Sequence, residues 1–269
     1  MKLTNIFSML GGLALFLYGM NMMSNGLELA AGNKMKTILE KLTSNRILGV
    51  LVGALVTAII QSSSATTVMV VGFVNSGLMS LTSAVWVIMG ANIGTTITGQ
   101  LIAIDITAIA PLIAFIGVAM IVFFKSKKLD AFGSVIGGLG ILFIGMETMS
   151  NAMVPLRTMP EFVGLISKFQ NPFIGILVGA LFTALIQSSS ASVGILQALA
   201  KSGVMTLSSS IYVLFGQNIG TCITSVLASI GTSKNAKRTT IIHLTFNIIG
   251  TVIFVSISML FPFAHLVES

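Results

Sequence analysis

One amide and three hydroxyls interrupt an apolar segment at Gln61-Ser62-Ser63-Ser64, and the same run returns at Gln187-Ser188-Ser189-Ser190. The lead-ins agree as well, Leu55-Val56-Thr57-Ala58-Ile59-Ile60 against Leu181-Phe182-Thr183-Ala184-Leu185-Ile186. Four adjacent polar side chains at membrane depth are costly unless something uses them. Two copies in one chain point to a single site built from both halves. The membrane reading follows from a chain that is 55% hydrophobic and 8% charged, with a mean hydropathy of +1.02. No soluble domain of this length carries so few charges, and the alternating strands of a barrel are not seen. The expected fold class is an all-α integral membrane protein. A net charge of +7 is too thinly spread for a nucleic-acid patch, so no nucleic-acid partner is expected. The charges are topology information instead. A single cysteine, Cys222, excludes an internal disulfide.

The duplication is continuous. Adding 126 to a position between 11 and 104 lands on its counterpart, and between Asn45 and Ile104 about half the positions are identical. Roughly seven residues are then inserted around positions 233–239. An N-terminal apolar run resembles a secretory signal, but its copy recurs mid-chain, which favours a retained helix. Within one repeat, residues 6–24 are long enough to span. Residues 26–45 carry Glu28, Lys34, Lys36, Glu40 and Lys41 and suit the interface. Two short apolar arms flank Gln61-Ser62-Ser63-Ser64, which predicts a re-entrant helical hairpin. A second break, Gly90-Ala91-Asn92-Ile93-Gly94-Thr95-Thr96, predicts an interrupted transmembrane helix. Residues 106–124 read as a plain span.

Three net crossings per repeat force the second copy to be inverted. The chain then divides into residues 1–126 and 127–269, two inverted-topology repeats forming one transport domain. Lys34, Lys36, Lys41, Arg46, Lys125, Lys127, Lys128, Lys234, Lys237 and Arg238 fall on one side, and Lys2, Arg157, Lys168 and Lys201 on the other. The positive-inside bias puts the first group in the cytoplasm. The hairpins would enter from opposite faces and bring their tips together near the midplane.

Helix starts offer N–H groups and a positive dipole end, which suit an anion. With uncharged hydroxyls and amides around them, the tips suit a small oxyanion that must be released again. The substrate-binding candidates are Gln61, Ser62, Ser63, Ser64, Gln187, Ser188, Ser189 and Ser190. Asn92, Thr95, Asn218 and Thr221 at the second breaks, with Thr66 beside the first tip, are candidate ligands for a cation such as sodium. No transition-metal cluster, cofactor motif or nucleophile–base pair is apparent, and Gly90–Gly94 is followed by no Lys, so it is not a nucleotide loop. An enzyme is not expected.

The paired Gln-Ser-Ser-Ser segments, the Asn-Ile-Gly-Thr segments and the Gly-Ala-Leu-x-Thr-Ala lead-ins resemble the bacterial branch of the type II sodium/phosphate cotransporters. The resemblance covers nearly the whole chain. It implies sodium-coupled uptake of inorganic phosphate in the bacterial cytoplasmic membrane, with both polar tips at the substrate site. Many members continue into a PhoU-like regulatory region, and the expectation for a chain ending at Ser269 is a transport region without it. Alternatives left open are another oxyanion, proton coupling, or a non-transporting phosphate sensor or scaffold.

Among the remaining polar residues, Glu147 is expected to be an interfacial or hydrogen-bonded acid near a helix end, His243 to have a structural role at a helix terminus, Asp105 to sit in a short outer loop, and Asn247 to cross-link helices. A homodimer, with or without use of the Gly-rich first helices, is also open.

Overall fold

The computed structural model describes residues 3–31, 37–39, 45–104, 106–124 and 126–261, and among these every regular element is helical. The first repeat contains α1 (Leu3–Ala31), α2 (Arg46–Ile60), α3 (Ser63–Asn75), α4 (Leu81–Gly94), α5 (Thr96–Ala103) and α6 (Ala110–Phe123). The second contains α7 (Lys127–Met153), α8 (Pro160–Ser167), α9 (Pro172–Ile186), α10 (Ser189–Lys201), α11 (Leu207–Gly220), α12 (Ile223–Ala228) and α13 (Lys234–Leu260). The bounds of α2, α3 and α4 recur in α9, α10 and α11 after adding 126. Five described helices are long and apolar enough to cross a membrane, or six if Pro160–Gln170 and Pro172–Ile186 count as one span bent by 103°. By length and composition this is a multi-pass membrane protein.

Small residues set the packing. Along α1, a Cβ on Gly12 would stand 2.5 Å from Met149 N, one on Gly19 2.4 Å from Leu142 N, and one on Gly26 2.7 Å from Ala131 O. Numbers rise along α1 as they fall along α7, so the two helices run antiparallel with their backbones in contact. These glycines face the molecule's interior.

The pairing of α2 with α4 is of the opposite kind. Gly49 lies against Trp86, Gly53 against Val87, and Gly94 against Ala54. Here the numbers rise together, so α2 and α4 are parallel. The chain between them must therefore return, and α3 is the return arm of a helical hairpin. The same pairing joins α9 and α11, where Gly179 meets Val213 and Gly220 meets Ala180. With 15 residues each, α2 and α9 are about 22 Å long, short of a hydrocarbon core of about 30 Å. Their outer faces are apolar and exposed: Ile47, Leu51 and Leu55 on α2, and Phe173, Leu177, Leu181 and Leu185 on α9. Water-exposed surfaces rarely carry such continuous stripes, and lipid accommodates them.

The two halves interlock. The arm α3 packs against α12 and α13, and α10 packs against α5. The last helix, α13, lies against both α4 and α11. At one end of the bundle, Ser233 N donates to Asn75 Oδ1 at 2.8 Å, which sets Lys234, Lys237 and Arg238 beside the α3–α4 turn. Elsewhere Arg157 donates through Nε to Ser202 O, and Lys201 Nζ donates to Thr107 Oγ1 at 2.9 Å.

Two expectations change. Helix α1 runs on to Ala31, so Glu28 belongs to a long helix and not to a separate interfacial segment. The second-repeat counterpart of that segment, α8, does turn sharply from the next helix. Lys2, Lys34, Lys36, Glu40, Lys41, Asp105 and Lys125 lie outside the described residues. The second break is narrower than expected. Thr95 keeps a right-handed backbone, φ −66° and ψ −21°, and residues 81–103 form one 23-residue span. Helical hydrogen bonding therefore takes up most backbone carbonyls that an unwound break would release.

Candidate functional site

Each hairpin reverses at a glutamine in the left-handed region. Gln61 and Gln187 both have φ 59°, and they are the described non-glycine residues with positive φ. Such a conformation costs a bulky residue about 1–2 kcal/mol. The reversal is tighter than a four-residue break. Ser62 and Ser188 act as helix caps, their hydroxyls accepting from Ala65 N at 3.1 Å and Ala191 N at 3.2 Å. Serine is favoured at such a position because it satisfies an N–H that the helix leaves open. Ser63-Ser64 and Ser189-Ser190 therefore lie in the first turns of α3 and α10.

Each hairpin is pinned below its tip by a buried hydroxyl pair. Thr57 Oγ1 donates to Thr66 Oγ1 at 2.9 Å, and Thr183 and Ser192 pair at 2.8 Å. Thr66 also donates to Ser62 O at 3.2 Å. This candidate cation ligand thus has its proton engaged within the hairpin and retains oxygen lone-pair capacity.

The structure brings the two tips together. Ser64 Oγ donates to Gln187 O at 3.5 Å. Ser190 Oγ donates to Thr98 Oγ1 at 3.4 Å, and Thr98 Oγ1 donates to Gln61 Oε1 at 2.9 Å. Gln61 completes the chain by donating through Nε2 to Ala58 O. A second link runs from Gln197 Nε2 to Gly99 O at 3.1 Å. Ser190, Thr98, Gln61 and Ser64 thus join tip to tip across the repeats. Gln61, Ser63, Ser189 and Ser190 are buried, Ser62, Ser64 and Ser188 are half-buried, and Gln187 is exposed. Thr98 was not among the sequence candidates. Its signal was a hydroxyl repeated as Thr224, three residues beyond Thr95 and so on the same helix face.

The candidate cation ligands separate. Asn92 Nδ2 donates to Asn247 Oδ1 at 3.1 Å, whereas Asn218 is exposed. Thr95 and Thr221, equivalent in the repeats, each bury a hydroxyl that has no hydrogen-bond partner. Buried polar groups are nearly always satisfied, so two such orphans in equivalent places require an explanation. Gln217 Oε1, one position before Asn218, is a third. His243 lies inside α13 and not at its end, with Ser225 Oγ 3.1 Å from Nδ1. Glu147 is exposed on α7. The described residues contain no group of three or more His, Cys, Asp or Glu side chains placed to hold a metal.

No solved structure matches the chain. An uncharacterised Bacillus subtilis protein, YqeW, is 34% identical over 87% of this chain and 76% of its own length. An Escherichia coli K12 protein named putative inorganic phosphate export protein YjbB is 28% identical over 96% of this chain, which spans 47% of that relative's length. The rat sodium-dependent phosphate transport protein 2A is 40% identical over 38% of this chain and 16% of its own. The family profile described as Na+/Pi-cotransporter matches residues 15–151 and 158–264. With both halves matched, the chain belongs to the Na+/Pi-cotransporter family, whose members are transporters and not enzymes.

Proposed function

We propose that this protein moves inorganic phosphate across the bacterial cytoplasmic membrane in a sodium-coupled cycle, through a site shared by the two Gln-Ser-Ser-Ser tips. The contact between the tips through Ser64, Ser190 and Thr98 carries this reading. Phosphate would lie against the starts of α3 and α10, where N–H groups and helix dipoles converge. Hydroxyls of Ser62, Ser63, Ser64, Ser188, Ser189 and Ser190, with the amides of Gln61 and Gln187, would complete the cradle. Neither tip contains a fixed positive charge, which favours release. Sodium would take the orphan hydroxyls of Thr95 and Thr221 together with the amide oxygens of Asn92 and Asn218, and Thr66 would add its remaining lone pair. Those ligands are side-chain oxygens, as the narrow helix interruptions require. A cation near the anion offsets part of its charge where water is scarce.

The antiparallel α1–α7 seam supports an inverted relation between residues 1–126 and 127–269. The short arms of α2 and α9 support re-entrant hairpins. Alternating access would come from movement of the hairpins against the long helices. The names of the YjbB relatives favour a second reading of direction, in which phosphate leaves the cell. Proteoliposomes loaded with phosphate on one side and given a sodium gradient in either sense test both. Sodium-driven accumulation supports coupling, and the preferred sense decides uptake against export. Equal flux with potassium replacing sodium removes sodium from the scheme, and a stronger response to sulfate removes phosphate.

A further inference from the structure

Away from the tips, one buried side chain touches the interrupted helix of each repeat. Asn247 on α13 accepts from Asn92 Nδ2 at 3.1 Å. Its own Nδ2 donates to Cys222 Sγ at 3.1 Å and to His243 O at 3.1 Å. Asn92 lies in the last turn of α4, and Cys222 joins α11 to α12. One amide therefore reaches from the first repeat's interruption to the second's, with both its donors and its acceptor engaged.

The consequence for Asn92 is directional. An amide has one donating and one accepting end. Asn247 takes the donating end, so the oxygen is the end of Asn92 left for a cation. Beside this junction stand the two orphan hydroxyls, Thr95 about one turn beyond Asn92 and Thr221 next to Cys222. His243, one turn before Asn247, buries an Nε2 that has no partner. A polar cluster in an otherwise apolar helix is costly unless it has a task. Its position between the interruptions, and not at the tips, indicates which task.

We propose that Asn247 is a positioning residue that couples the cation-binding elements of the two repeats. It turns the Asn92 oxygen toward the ligand and ties that same amide to Cys222, so that occupancy at one interruption is felt at the other. This rests on the sodium-coupled reading above.

The test is sodium activation of phosphate transport in proteoliposomes for the wild type, Asn247→Ala, Asn92→Ala and the double variant. Asn247→Ala is expected to raise the half-saturating sodium concentration about tenfold and to flatten the sodium curve. The phosphate KM at saturating sodium should shift less than about twofold, and the double variant should be no worse than Asn92→Ala. An Asn247→Ala sodium curve with wild-type midpoint and steepness overturns the proposal. So does a phosphate KM that rises in step with the sodium midpoint, which marks general damage. If Asn247→Ala does not insert, Asn247→Ser removes the same amide and is measured in its place. A wild type with no sodium-driven transport instead overturns the functional reading, and the coupling falls with it.

Discussion

Gln61 and Gln187 hold the same left-handed backbone at the ends of helices of equal length, yet their surroundings differ. Gln61 is 5% exposed and accepts from Thr98. Gln187 is exposed, and Thr224, the counterpart of Thr98, donates to Thr221 O of its own turn at 3.1 Å. Duplication preserved the scaffold, meaning the helix lengths, the caps and the hydroxyl pairs. It did not preserve the wiring. One tip is set in advance by protein contacts, whereas the amide of the other is exposed. A site with one rigid and one open wall reduces the ordering cost of binding while keeping an entrance.

The scaffold half of this comparison is the most severe to test. A Cβ on Gly53 would stand 2.1 Å from Val87 O, and one on Gly179 2.0 Å from Val213 O. Gly53→Ala and Gly179→Ala should each cost about 3 kcal/mol and sharply reduce monodisperse protein after extraction. Survival of one but not the other would break the symmetry.

The wiring half predicts unequal partners. Gln61→Ala strands the Thr98 hydroxyl and should cost about 1–3 kcal/mol, whereas Gln187→Ala should stay within about 0.5 kcal/mol. Both should lower phosphate transport, but only the first should lower the melting temperature. Equal thermal shifts would contradict the comparison. Thr98→Val should cost about 1.5 kcal/mol and reduce transport, while Thr224→Val should leave transport near the wild-type rate. The last pair returns to symmetry. Ser62→Ala and Ser188→Ala each lose one cap and should destabilise by about 1 kcal/mol alike, measured as paired shifts in thermal unfolding.

How far the fold was legible depended on repetition. The short arms, the two tips and the long first helices announce themselves because each occurs twice at one spacing. The tip residues were found for the same reason. Thr98 recurs as Thr224 and was still hidden, since its partner lies 37 positions away while that of Thr224 lies in its own turn. The exposure of Gln187 was hidden too, because identical letters carry no record of their neighbours. At Thr95 the sequence overstated the disruption. Glycines at 90 and 94 suggested an unwound segment, but Val50 O and Ala54 O lie where their Cβ atoms would stand, at 2.0 and 2.3 Å. Those glycines admit a neighbouring helix and leave their own intact. Asn247 was singled out as a cross-link, and its contact with Asn92 is present.

Each return arm leans on the short helix of the opposite repeat, α10 on α5 and α3 on α12. The core around Phe16, Ile102, Leu142 and Ile195 draws on both halves. Cut between residues 126 and 127 and made as two polypeptides, the halves would have to assemble before that shared core could close, and activity would appear only on co-expression. An ancestor encoding one such unit would have met the same requirement, and two copies clasping arms would satisfy it.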